Sequence, residues 1–181
     1  MRVRVDAIKR LIREHLDQQK EFKKSVKFSG ILKIMPSDAV VSQAQEIIQT
    51  LPKHTVMTNE DGSESELPVI PLLPENLHVT LAHQSVLKPF RKQLKALYKS
   101  GNLPDPPEIQ LDPSWELRND PVLGRRSWVA WVVNENEVKD YLNSIMTLVG
   151  GPMNLWDTEI PQRRYHVSLA NLTGNPGDSV R

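Results

Sequence analysis

Two short segments, Leu77–Leu81 (LHVTL) and Tyr165–Leu169 (YHVSL), repeat one pattern: a histidine followed by an apolar residue, a hydroxyl residue and another apolar residue. Side chains on a β-strand point alternately to its two faces. Each segment therefore predicts a strand whose apolar residues enter a core, while its histidine and hydroxyl residue share the other face. A fold that contains both strands must bury one face of a sheet and leave accessible the face that carries His78, Thr80, His166 and Ser168.

The residues around these segments predict alternating strands and helices. Apolar runs predict strands at 27–35, 115–117 and 127–133, and apolar residues at helical spacing predict helices at 39–51, 88–100 and 135–149. Residues 59–66 (NEDGSESE) predict a turn or mobile loop. The order gives two roughly similar halves, each ending in a histidine strand, and predicts an α+β fold in which helices cover a sheet. A charged amphipathic helix at 5–24 precedes them, so we divide the chain into a helical extension, 1–26, and one domain, 27–181.

Composition excludes several classes of site and partner. The chain has no cysteine, which rules out thiolate nucleophiles, disulfides and cysteine-ligated metal sites. Its formal net charge of +1 means that a phosphate-bearing ligand should be held by a local pocket rather than by bulk attraction. The charged first residues lack the apolar run of a signal peptide, and no stretch reaches the roughly 18 apolar residues of a membrane helix. We expect a soluble cytoplasmic protein that needs no protein partner.

The paired histidines suit the cleavage of a phosphodiester bond. One neutral imidazole can accept a proton from an attacking hydroxyl group or water, and the other, protonated, can donate to the departing oxygen. Both forms of histidine are accessible near neutral pH because its ordinary pKa is about 6.5. The hydroxyl groups of Thr80 and Ser168 could bind the non-bridging oxygens, where charge develops in the transition state. This scheme needs no cofactor and no metal.

The remaining histidines do not suggest a metal site. His83 follows His78 by five positions, so alternation along the strand predicts that it points to the opposite face. His54 lies in a segment predicted as a loop and has no partner in the sequence. Neither has a glutamate or a second histidine at the spacing expected of a zinc site.

The two H-x-[T/S]-x strands resemble those of the 2H phosphoesterase superfamily. Its members include RNA-end 2′,3′-cyclic phosphodiesterases, 2′-5′ oligoadenylate phosphodiesterases and the phage anti-CBASS nucleases, which degrade the cyclic di- and trinucleotide signals of bacterial immunity. The resemblance implies a fold of two antiparallel-sheet lobes with outer helices and a central cleft, in which His78, Thr80, His166 and Ser168 are catalytic. The closing HVSLANLTGNPGDSV looks most like the anti-CBASS branch.

The substrate would then be a cyclic oligonucleotide or an RNA-type phosphodiester. Bases need stacking surfaces and phosphates need cations, so we expect substrate contacts from Tyr165, Arg163, Trp131 and Lys33. Trp128 and Trp131 lie on opposite faces of one predicted strand, so at most one of them faces the cleft. Processing of RNA ends and cleavage of 2′-5′ linkages remain alternative activities, and a module that binds nucleotides without cleaving them is the alternative from another class.

Overall fold

The computed structural model describes residues 25–58, 61–153, 155 and 164–180. The predicted helix at 5–24 and the predicted substrate contact Arg163 therefore lie outside the described residues. The first described strand begins at Val26, next to the expected start of the domain.

Nine described strands form two antiparallel sheets. Seven of them make the main sheet, in which β9 (His166–Asn171) also pairs with the short β5 (Ile70–Pro71). The order across this sheet is β1 (Val26–Phe28), β2 (Leu32–Ile34), β6 (Val79–Ala82), β9, β8 (Arg125–Trp131) and β7 (Glu116–Asp120). A separate hairpin consists of β3 (His54–Thr58) and β4 (Glu64–Pro68).

Helices pack against one face of the main sheet. They are α1 (Asp38–Gln49), the short α2 (Gln84–Leu87), α3 (Arg91–Ser100) and α4 (Glu135–Leu148). Ile47, Leu94 and Ile145 bring α1, α3 and α4 into one core with the apolar residues of both histidine strands. Val79, Leu81, Val167 and Leu169 are all 0% exposed.

The predicted α+β architecture and the burial of these apolar positions are thus confirmed. The main sheet continues across both halves of the chain, and the two-lobed arrangement implied by the resemblance stays a prediction. Within the described residues, no helix has the length and apolar character needed to cross a membrane.

Two local predictions had the wrong bounds. Residues 27–35 were predicted as one strand but form the β1–β2 hairpin, in which Gly30 has a φ of 95° that other residues rarely adopt. The loop predicted at 59–66 is shorter, because β4 already begins at Glu64. Asp61 accepts hydrogen bonds from the backbone N–H and the hydroxyl of Ser63 and so closes that turn.

Candidate active site

The two histidine strands are neighbours in the main sheet. Val79 of β6 pairs with Val167 of β9 in antiparallel register. Continuing this register places His78 across from Ser168, and Thr80 across from His166. All four side chains line one cavity of about 150 Å³. Because diagonal neighbours on such a strand pair are about 7–8 Å apart, the two imidazoles can lie on either side of a single phosphate group.

Cross-strand pairing extends this site in both directions along the sheet. Lys33 of β2 pairs with Thr80, and Trp131 of β8 pairs with His166. Lys33 also lines the cavity. Trp128, by contrast, is 1% exposed, which agrees with the prediction that at most one of these two tryptophans faces the site.

His78 is held as a neutral base. Its Nδ1 is 2.7 Å from the backbone oxygen of Asn76, and because a carbonyl only accepts, Nδ1 carries the proton and Nε2 has a free electron pair. Burial lowers the pKa of His78, and the positive charges of Lys33 and Lys27 lower it further, against the opposing effect of the Asn76 hydrogen bond. His78 is therefore ready to accept a proton at neutral pH.

His166 has the same backbone contact as His78. Its Nδ1 lies 3.3 Å from the backbone oxygen of Arg164, again two residues earlier in the chain. Its Nε2 lies 3.4 Å from Nη1 of Arg118 on β7. Since a guanidinium group can only donate, Nε2 is the acceptor in this contact. In both histidines Nδ1 thus faces a backbone carbonyl two residues earlier in the chain.

Trp131 is fixed beside His166 by polar and aromatic contacts. Its ring meets the His166 ring edge to face, with centroids 5.6 Å apart. Its Nε1 donates a 2.6 Å hydrogen bond to Glu116, and the guanidinium carbon of Arg164 lies 4.5 Å from the ring centroid. Glu135, in turn, is 3.7 Å from Arg164. These contacts hold the indole at the edge of the cavity.

The C-terminal segment forms one wall of the cavity. Its turn includes Gly174, with a φ of 72°, and a short 3₁₀ turn at Pro176–Asp178. Buried Asn171 ties this segment to the sheet by donating to the Asn175 carbonyl at 2.7 Å and accepting from the Gly174 N–H at 2.6 Å. The Val180 N–H donates a 2.7 Å hydrogen bond to the buried Ser127 hydroxyl. The GNPG sequence at 174–177 therefore forms the turns of this wall.

Two residues lie where the sequence did not place them. Tyr165 was expected to contact the substrate, but it is 1% exposed and belongs to the core, because it precedes His166 by one residue and points to the other face. His83 was expected on the face opposite His78, yet it lines the same cavity. The reason is that β6 ends at Ala82, and alternation does not continue past the end of a strand.

Arg118 is a site residue that the sequence analysis missed. Its segment, ELRND, contains no motif, and its position next to His166 depends on how β7 and β9 flank β8. Only the order of the strands in the sheet brings Arg118 close to His166, and no sequence pattern indicates that order.

The site holds no evident metal centre in the part of the chain that the structure describes, where no three His, Asp or Glu side chains are grouped suitably. Comparison of the chain with protein-family models, with curated proteins and with solved structures found no match.

Proposed function

We propose that this chain is a metal-independent phosphodiesterase that uses His78 and His166 as its base and acid. The observation that carries the proposal is that two histidines on adjacent strands share one cavity, each with Nδ1 held by a backbone carbonyl. A hydroxyl residue lies across the strand pair from each histidine. These groups can supply a base, an acid and hydrogen-bond donors for the in-line cleavage of a phosphodiester.

In the proposed reaction, Nε2 of His78 removes the proton from the attacking hydroxyl group or water. The new P–O bond forms as the opposite P–O bond breaks, and the departing oxygen takes the proton from Nε2 of His166. His166 is protonated for this step, so its Nε2 no longer accepts from Arg118 as it does in the neutral form. His78 takes the role of base because its lowered pKa keeps it neutral. Thr80 and Ser168 donate hydrogen bonds to the non-bridging oxygens. Exchange of one proton at each histidine with solvent restores the starting state.

The substrate we propose is a cyclic di- or trinucleotide signal, as in the anti-CBASS branch of the 2H phosphoesterases. The cavity of about 150 Å³ is smaller than the roughly 300–1,000 Å³ of sites that enclose a whole small ligand. It suits the scissile phosphate and its immediate neighbours. The rest of the substrate would then lie along the open sheet face, where Trp131 offers a surface next to His166.

The test is a digest of a substrate panel by wild-type protein and by the His78→Ala and His166→Ala variants, analysed by mass spectrometry. The panel contains cyclic di- and trinucleotides, 2′-5′ oligoadenylate, and RNA ending in a 2′,3′-cyclic phosphate. Each variant should lose about 10²- to 10⁴-fold in turnover. His54→Ala is the matched control, because His54 is exposed on the β3–β4 hairpin.

Each outcome of the digest has a distinct meaning. Cleavage of only the terminal cyclic phosphate would make this an RNA-end processing enzyme. Full turnover by both folded histidine variants would refute the two-histidine mechanism. Tight binding without cleavage of any substrate would favour the nucleotide-binding module.

A further inference from the structure

Arg118 reaches the proposed reaction centre from outside the cavity. It lies on β7, which is separated from β9 by β8, and its side chain extends past Trp131 to His166. The guanidinium carbon is 5.9 Å from the Trp131 ring centroid, and Nη1 is 3.4 Å from Nε2 of His166.

Nη1 of Arg118 lies beside the position proposed for the scissile phosphate. Nε2 of His166 is the atom that would contact the departing oxygen, since Nδ1 faces the Arg164 carbonyl. A donor 3.4 Å from Nε2 can therefore also reach a non-bridging oxygen of the same phosphate. A guanidinium group offers five N–H donors in a planar fork, which matches two phosphate oxygens at once.

The environment of Arg118 strengthens such a contact. The side chain is half-buried, and burial lowers its pKa, against the effect of nearby Glu116. An arginine remains charged at neutral pH under these conditions. An ionic hydrogen bond in a partly dehydrated site is stronger than one in water. On the other side of the cavity, Lys33 lies close enough to His78 for its positive charge to lower the pKa of His78.

We propose that Arg118 is a catalytic residue that binds a non-bridging oxygen of the scissile phosphate next to His166. With Lys33 on the opposite side, two cations would then flank the phosphate as its negative charge increases in the transition state. This inference rests on the proposed phosphodiesterase function and adds a residue that neither histidine motif contains.

The first test compares Arg118→Gln and Arg118→Lys with wild-type protein on the substrate that wild-type protein cleaves. Removing one donor of this kind costs about 10²- to 10³-fold, and for Arg118→Gln we expect this loss mainly in kcat, with a smaller rise in KM of about tenfold. Lysine keeps the charge but not the fork, so Arg118→Lys should recover part of the loss. Arg91→Gln, which removes an exposed arginine of α3, is the control for net charge.

The second test uses phosphorothioate substrates, in which sulfur replaces one non-bridging oxygen. One of the two stereoisomers should slow the wild-type enzyme through the lost Arg118 contact, and this particular effect should shrink in Arg118→Gln. If Arg118 only supports His166, both stereoisomers would show the same effects in the variant as in wild-type protein. That result, or a kcat within threefold of wild type, would overturn the proposal.

A binding measurement distinguishes a failure of this inference from a failure of the proposed function. A 2′-deoxy dinucleotide lacks a 2′-hydroxyl as attacking group, and once mass spectrometry has shown that it stays intact, its affinity reports phosphate contacts without cleavage. Arg118→Gln should bind it about tenfold more weakly than wild-type protein does, and equal binding would refute the phosphate contact even if no substrate were cleaved. Activity lost in Arg118→Gln but kept in both histidine variants would instead overturn the proposed mechanism.

Discussion

Replacing Asn171 with alanine should strongly destabilise the protein and deform the cavity. The Asn171 side chain is 0% exposed. It accepts hydrogen bonds from the N–H groups of Thr173 and Gly174 at 3.0 and 2.6 Å. It donates to the Asn175 carbonyl and the Ser179 hydroxyl at 2.7 and 3.2 Å. These four bonds connect the end of β9 to the segment that closes the cavity.

The magnitude follows from the number of bonds and their burial. An intramolecular hydrogen bond contributes a net value of about 1 kcal/mol, and a buried group left without its partner costs about 1–3 kcal/mol. We therefore expect Asn171→Ala to lower the free energy of unfolding by about 4 kcal/mol. In a chain of this length, that corresponds to a fall in Tm of about 8–16 °C.

Urea unfolding followed by tryptophan fluorescence measures the change, because Trp128 packs in the core and Trp131 lies beside the cavity. Asn136→Ala is the matched control, since Asn136 is exposed in the first turn of α4. The control should change the free energy of unfolding by less than about 0.5 kcal/mol. A loss below 1 kcal/mol in Asn171→Ala would show that the C-terminal segment does not depend on this network.

Four further predictions concern the pH dependence, metal dependence, substrate contact and packing. Because burial and Lys33 lower the pKa of His78, the acid limb of kcat/KM should lie below pH 6.5, and Lys33→Gln should move that limb to higher pH. Activity should be unchanged by EDTA, and loss on chelation with recovery on added metal would contradict the mechanism. Trp131→Ala should raise KM by about 5- to 100-fold if a base stacks there, whereas an unchanged KM would exclude this contact. Gly174→Ala should lower the free energy of unfolding by about 1–3 kcal/mol in urea titrations, because the added Cβ would lie 2.8 Å from Ile70 at a φ of 72°; unchanged stability would contradict this packing argument.

The sequence alone predicted the parts of the fold that depend on local alternation. Burial of Val79 and Val167 follows from the period of a strand, and so does the shared face of each histidine and its hydroxyl residue. The helices at 38–49 and 135–148 follow from apolar residues at helical spacing. These patterns involve residues that are close in the sequence, so they can be recognised without knowledge of the tertiary fold.

Features that depend on strand order or strand ends could not be predicted. Arg118 meets His166 only because β8 lies between their strands, and nothing within β7 specifies that neighbour. His83 enters the cavity because β6 stops one residue before it. The β3–β4 hairpin was missed because its strands alternate between exposed and half-buried residues and offer no continuous apolar face.

The pairing of Val79 with Val167 gives the site a local twofold axis, perpendicular to the sheet between those two residues. A half-turn about this axis exchanges His78 with His166 and Thr80 with Ser168. The entering and leaving oxygens of an in-line displacement are exchanged by the same operation. A second, reverse-sense step at the same phosphorus, such as hydrolysis of a cyclic intermediate, could therefore use the same side chains with their proton-transfer roles interchanged. The neighbours of the two strands do not obey this symmetry, since Lys33 lies on one side and Trp131 on the other. These neighbours would decide which histidine acts as the base in each step.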